Sequence, residues 1–197
     1  MNYLAHAYLS FNNEEILVGN LISDFVKGKK KFTYPEGIQK GIALHRAIDG
    51  FTDTHEATKI AKDIFRPYYR LYSGAFIDVV YDHFLATDTN EFTEERLKTF
   101  SENVYHVLDQ HENYFPERFG RMFPYMKIQN WLFNYRTRSG TESSFGGVVS
   151  RARYLSESKT AASLFEQHYK ELHNCYLSFF PDLKSFAHTI YLDIIKL

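Results

Sequence analysis

Residues 71–86, LYSGAFIDVVYDHFLA, set Asp78, Asp82 and His83 among Phe76, Val79, Val80, Phe84 and Leu85. The stretch reads as a helix, and two carboxylates with an imidazole in such company have two explanations. They lie on the wet side of an amphipathic helix, or they point into a site. Outward from this stretch the helical reading continues. EEILVGNLISDFVKG carries Ile16, Leu17, Leu21, Ile22 and Phe25 at helical spacing and ends at Gly28, a C-cap candidate. YPEGIQKGIALHRAIDGFTD opens with Pro35 near a first turn and continues through Ile38, Ile42 and Ile48. Thr93, followed by Glu94 and Glu95, marks another helix start. FPERFGRMFPYMKIQNWLFNYRT is expected as two helical pieces split near Pro124, and TESSFGGVVSRARYLS as a looser segment. TAASLFEQHYKELHNCYLSFF reads as one amphipathic helix, which Pro181 separates from a last helix reaching Leu197. No alternating run is long enough for a sheet. The expected fold is therefore all-α, a single helical-bundle domain over residues 1–197 with about eight helices.

Composition sets the function classes. Hydrophobic residues make up 44% of the 197-residue chain and charged residues 24%, which is globular usage. Eighteen Phe and 15 Tyr predict bulky core packing with hydroxyls at its edge. The net charge of −1 provides no global field toward nucleic acid or a membrane, so electrostatic partner choice must be local. A lone cysteine, Cys175, excludes an intrachain disulfide and a cysteine-rich metal cluster. With no signal-peptide pattern in MNYLAHAYLSF and no apolar run of membrane length, a cytoplasmic protein is expected.

Polar residues recur one helical turn apart in the first half of the chain. Asn20 and Asp24 are four apart, as are His45 and Asp49, Asp49 and Asp53, and Asp78 and Asp82. That spacing stacks two side chains on one helix face. Singly, each has an ordinary explanation. His6, within NYLAHAYLS, fits a hydrogen-bonded core histidine, and Asp53 fits a cap for the helix THEATKIAKDIF, with Thr52 or Thr54 as competitors. Jointly, carboxylates on several helices among apolar neighbours repel one another and lose solvation. A divalent cation offsets both costs, and imidazole nitrogen and carboxylate oxygen are its usual ligands. No GxSxG or P-loop competes, and SGTESSFGG lacks the preceding strand of a phosphate loop.

At NYLAHAYLS, GNLISDFVKG, LHRAID and DVVYDHFLA the chain resembles the acyl carrier protein phosphodiesterases, with further likeness at WLFNYR, GGVVSRARY and FFPDL. The order holds over almost the whole length. These enzymes are commonly grouped with the HD-domain metal-dependent phosphohydrolases, so the resemblance implies an HD-domain-like bundle. It also implies hydrolysis of the 4′-phosphopantetheine–serine phosphodiester of holo acyl carrier protein, with a divalent metal, Mn²⁺ ahead of Mg²⁺, Fe²⁺ or Zn²⁺. The matching positions are His6, Asn20, Asp24, His45, Arg46, Asp49, Asp53, Asp78, Asp82 and His83. Tyr8 stands where relatives carry a second histidine.

On that footing His45, Asp82 and His83 are the first ligand candidates, followed by His6, Asp24 and Asp78. Asp49 and Asp53 are candidates for ligation or for orienting histidine N–H groups. Arg46 is a candidate clamp on the phosphoryl charge, or simply a surface ion pair. The run KGKKK places Lys27, Lys29, Lys30 and Lys31 just after Asp24, where they would steer an acidic carrier, with Arg66, Arg70, Arg136, Arg138, Arg151 and Arg153 extending the surface. Two other readings stay open. One is a phosphohydrolase acting on a nucleotide or other small phosphoester; the other is a non-catalytic helical module that binds an acidic partner. RNA binding finds no motif.

Overall fold

The computed structural model describes residues 1–196. Eleven α-helices form in chain order: α1 (Tyr3–Tyr8), α2 (Glu14–Ile22), α3 (Glu36–Thr54), α4 (Glu56–Tyr69), α5 (Ser73–Thr87), α6 (Glu94–Gln110), α7 (Glu117–Ile128), α8 (Trp131–Asn134), α9 (Arg138–Arg151), α10 (Lys159–Gln167) and α11 (Tyr169–Lys196). Short 3₁₀ turns lie at Ser23–Phe25, Gly28–Thr33, Arg70–Tyr72 and Glu112–Tyr114, and there is no strand among the described residues. The buried apolar side chains form one cluster, as an all-α chain with a single core requires.

The stretch 71–86 is the axis of the fold. Phe76, Ile77, Val79, Val80, Tyr81, Asp82, His83, Phe84, Leu85 and Ala86 of α5 are all buried. A helix apolar on every side is enclosed on every side. α1, α4, α9 and α11 pack around it. The wet-side explanation fails for Asp82 and His83, because this part of the helix has no wet face for them to occupy.

The helices number eleven and not about eight, and their boundaries differ from the sequence expectation. Pro124 lies inside α7 and Pro181 inside α11. A proline deletes one helical hydrogen bond, but Phe119, Phe123 and Met126 of α7 and Phe179, Phe180 and Leu183 of α11 are buried on either side of it. Packing keeps both helices continuous. The break expected near Pro124 comes instead at Asn130, whose backbone is left-handed (φ 46°). The segment read as loose is α9, started by Thr137 Oγ1 accepting from Gly140 N–H and held by buried Thr141, Phe145 and Val148. The single helix expected from Thr160 divides at His168, between α10 and α11. α2 stops at Ile22, well before Gly28. The cap of α4 is His55, whose Nδ1 accepts from Ala57 N–H, and not Asp53 or a threonine. The end of the last helix at Leu197 lies outside the described residues. No described helix is long and apolar enough to cross a membrane.

One crossing positions everything that follows. α2 meets α3 at Gly19 and Gly41, whose backbones touch. A Cβ on Gly19 would sit 2.1 Å from the Ile38 carbonyl oxygen, and one on Gly41 would sit 2.3 Å from that of Ile16. Only two glycines permit so close an approach.

Candidate metal centre

The α2–α3 crossing brings Asn20 beside His45. His45 Nδ1 lies 2.7 Å from the Asn20 main-chain oxygen. From α1, His6 Nδ1 lies 2.8 Å from the Asn20 side-chain oxygen. The Asn20 amide nitrogen donates to His6 O and Ser10 Oγ, which fixes its oxygen as the acceptor for His6. Both imidazoles thus donate through Nδ1 to one residue, and both turn Nε2 the same way. The rings stack with centroids 3.9 Å apart and planes 15° off parallel.

Asp49 lies one turn after His45 on α3 and bridges the pair. Its Oδ2 is 3.1 Å from His45 Nε2 and its Oδ1 is 3.2 Å from His6 Nε2. Asp24, on the 3₁₀ turn after α2, places Oδ1 3.2 Å from His45 Nε2. His6 and His45 are 2% and 5% exposed, whereas the Asp49 and Asp24 side chains are 41% and 67% exposed. The centre therefore has an imidazole floor and a carboxylate rim. His6 Nε2, although close to Asp49, makes no hydrogen bond of its own and is a buried nitrogen without a partner. His6, His45 and Asp49 present three donor atoms within 4.8 Å of one another, compatible with a divalent cation.

Electrostatics follow from this packing. Burial, then the neighbouring His45, pull the His6 pKa down to about 4. Burial also opposes charge on His45, but the hydrogen bonds and charges of Asp24 and Asp49 win and raise it to about 9. Burial works against the Asp49 carboxylate too, and the two histidines overcome it and hold its pKa well below the usual range. Asp24 is lowered mainly by its hydrogen bond with His45.

The model of the acyl carrier protein phosphodiesterase family matches residues 1–183. Proteins of that name from Yersinia pestis, Enterobacter sp. (strain 638) and Escherichia coli O6:H1 are 32%, 31% and 31% identical to the chain. The aligned regions cover 93%, 92% and 92% of this chain and 95%, 94% and 94% of theirs. The chain belongs to the acyl carrier protein phosphodiesterase family. No solved structure matches it, and the kinship with HD-domain proteins rests on sequence resemblance alone.

The other residues marked for chemistry in this family member are placed elsewhere. Asp82 is fully buried and caps α1, accepting from the backbone N–H groups of Leu4 (2.7 Å), Asn2 and Ala5 (3.3 Å each). Burial raises its pKa to about 7 against those bonds. His83 has both ring nitrogens engaged, Nδ1 with the Tyr135 carbonyl (2.7 Å) and Nε2 with the Tyr169 hydroxyl (3.0 Å), away from His6 and His45. Asp78 lies 2.8 Å from the amine of Met1, which in turn lies 3.7 Å from Asp49 Oδ1. It reaches the centre only through that amine. Asp53 pairs with Lys62 at 2.6 Å on the surface. Arg46 donates to the Val26 carbonyl, tying the segment after Asp24 to α3. Tyr8 donates to Glu91, which also pairs with Lys184, on another side of α1.

Lys27, Lys29 and Lys30 are exposed and Lys31 half-buried, and none forms an ion pair among the described residues. The Met1 amine, the Gly19–Gly41 crossing and the double role of Asn20 are not legible as site features in the sequence. Asn20 at least falls four residues before Asp24 within a matching motif.

Proposed function

We propose that this chain hydrolyses the phosphodiester joining 4′-phosphopantetheine to the carrier serine of holo acyl carrier protein. Water adds at phosphorus, the bond to the serine oxygen breaks, and that oxygen gains a proton. The products are apo carrier and phosphopantetheine. One observation, within a chain of this family, supports the reading most: two stacked histidines share Asn20 through Nδ1 and turn Nε2 toward one carboxylate.

His6, His45 and Asp49 would hold the cation, Mn²⁺ being the expected ion, with Asp24 beside them. When bound, a divalent ion makes hydroxide available near neutral pH and polarises a phosphoryl oxygen. The chain's own contribution is organisation. Asn20 fixes both imidazole orientations, which sharpens ligand geometry. Asp24, exposed at the rim and hydrogen-bonded to His45, stands where an attacking water can be oriented and its proton accepted. Asp82 holds the start of α1, and with it His6. Asp78 steadies the segment before α1 through the Met1 amine. The unpaired lysines 27 and 29–31 follow Asp24 directly, so an acidic carrier protein would meet them at the mouth of the site. A carrier-modifying enzyme of this kind works in the cytoplasm.

The test is direct. Purified protein is incubated with holo carrier and Mn²⁺, and products are weighed by mass spectrometry. Apo carrier should accumulate, and chelator or His45→Gln should stop it. Intact holo carrier at high enzyme concentration would overturn the proposal; turnover of small diesters instead would assign the centre to small-phosphoester hydrolysis.

A further inference from the structure

A cavity of about 340 Å³ opens between the start of α1, α8 and α9, within the range of small-molecule sites. One face of α9 lines it, through Gly140, Ser143, Ser144, Gly147 and Arg151, which recur at helical spacing. Its opposite wall begins with Asn2 and Tyr3. Tyr3 lies three residues before His6 on α1, so the two occupy one helix face. The Tyr3 hydroxyl and the Arg151 guanidinium both approach Met122 Sδ, at 3.5 and 4.0 Å. Asn2, in the same wall, follows Met1, whose amine lies 3.7 Å from Asp49 Oδ1. The cavity wall thus adjoins the metal centre, with Arg151 beside Tyr3.

Its interior is equipped for a ligand. Tyr135 lines the cavity, is 1% exposed, and its hydroxyl makes no hydrogen bond among the described residues. A buried phenol ordinarily finds a partner. Around it the amide of Asn134, the two serine hydroxyls and the Trp131 ring alternate polar and apolar surface.

We propose that this cavity receives the prosthetic arm of the carrier, an inference that rests on the functional reading above. The arm is a slender chain with two amides, a hydroxyl and a dimethyl-bearing carbon. Its amides and hydroxyl match the Asn, Ser and Tyr groups, and its carbon segments match the Trp131 and Tyr135 rings. Arg151 meets the phosphate end near the cation.

Gly147 provides the decisive variant. A Cβ there meets nothing within 4 Å, whereas one on Gly140 would strike the Asn134 carbonyl oxygen at 2.0 Å. Gly147→Leu therefore fills the cavity without a backbone clash. Gly146→Leu, at a position equally open but not lining the cavity, is the control. Trp131 is the only tryptophan of the chain, so its fluorescence reports on the cavity directly. Titration of the parent with 4′-phosphopantetheine should change that emission, and Gly147→Leu should abolish the change. With holo carrier and Mn²⁺, Gly147→Leu should raise KM at least tenfold while Gly146→Leu and Mn²⁺ affinity stay at parental values. If Gly147→Leu fails to fold, Tyr135→Phe should still raise KM several-fold. An active parent with a silent Trp131, or a folded Gly147→Leu variant with parental KM, overturns the cavity assignment. A responsive Trp131 in a protein that leaves holo carrier intact would support the cavity and sink the functional reading.

Discussion

The main-chain oxygen of Asn20 lies 2.7 Å from His45 Nδ1 while its side-chain oxygen lies 2.8 Å from His6 Nδ1. One residue on α2 therefore aims two imidazoles carried by two other helices. Asn20→Ala removes the side-chain bonds to His6 and Ser10 but spares the one to His45, since the main-chain oxygen remains. Mn²⁺ affinity, read by isothermal titration, should fall about 10- to 100-fold, the usual effect of losing a group that orients a ligand. Asn20→Asp, which keeps the acceptor, should lose much less.

The backbone contact at Gly19 and Gly41 leads to a stability prediction. Gly41→Ala forces a methyl group against the Ile16 carbonyl oxygen. Denaturant unfolding should show a loss of about 3 kcal/mol, the upper range for overpacking. Because the crossing sets His45 against Asn20, Mn²⁺ affinity should fall with it. Gly50→Ala, whose Cβ meets nothing within 4 Å, should be neutral or slightly stabilising.

Asp82 and His83 should separate from the metal centre under mutation. Asp82→Ala strips the acceptor from three backbone N–H groups at the start of α1 and should cost about 3 kcal/mol of stability. His83→Gln should lower stability but leave Mn²⁺ affinity within twofold of the parent, since both ring nitrogens are engaged with Tyr135 and Tyr169.

The raised pKa of His45 has a definite sign. In metal-free protein the ring is charged up to about pH 9, while in the unfolded chain it loses its proton near its model value of 6.5. Its contribution to stability is complete below 6.5 and disappears as pH rises through about 9. A bound cation must displace that proton, so Mn²⁺ affinity should rise about tenfold per pH unit from 7 to 9 and then level. Calorimetry across that range should show both trends, with Mn²⁺ reversing the alkaline loss of stability.

The lysine run makes a kinetic prediction. Charge reversal at Lys29, Lys30 and Lys31 should raise KM for holo carrier about tenfold at low salt and by much less at 0.5 M salt, where screening is short-ranged. The value of kcat should stay unchanged. An unaltered KM at low salt removes these lysines from carrier docking.

Much of this architecture was legible in the chain. Helical spacing marked α2, α3 and α5, and the i,i+4 pair His45–Asp49 lies together at the centre. What stayed hidden has physical causes. Prolines 124 and 181 look like breaks because sequence shows the lost hydrogen bond and not the aromatic packing that compensates for it. Asp82 and His83 resemble ligands because burial and polarity are readable, but the partners that satisfy them, the α1 amides and Tyr135, lie about 50 to 80 residues away. His6 and Asp49 stand in the reverse position. Ordinary when taken singly and marked only through the joint pattern, they meet because α1 brings His6 against the His45–Asp49 pair of α3.

The imidazoles form a floor that solvent scarcely touches, and Asp24 and Asp49 stand at its open edge. That edge is the exposed side of the centre. An arriving ion meets anionic oxygen first and nitrogen last, and a departing one retraces the route without any helix having to unpack. The protein should accordingly be loaded and stripped in its native state, so exposure to chelator would be reversible and would not destroy it.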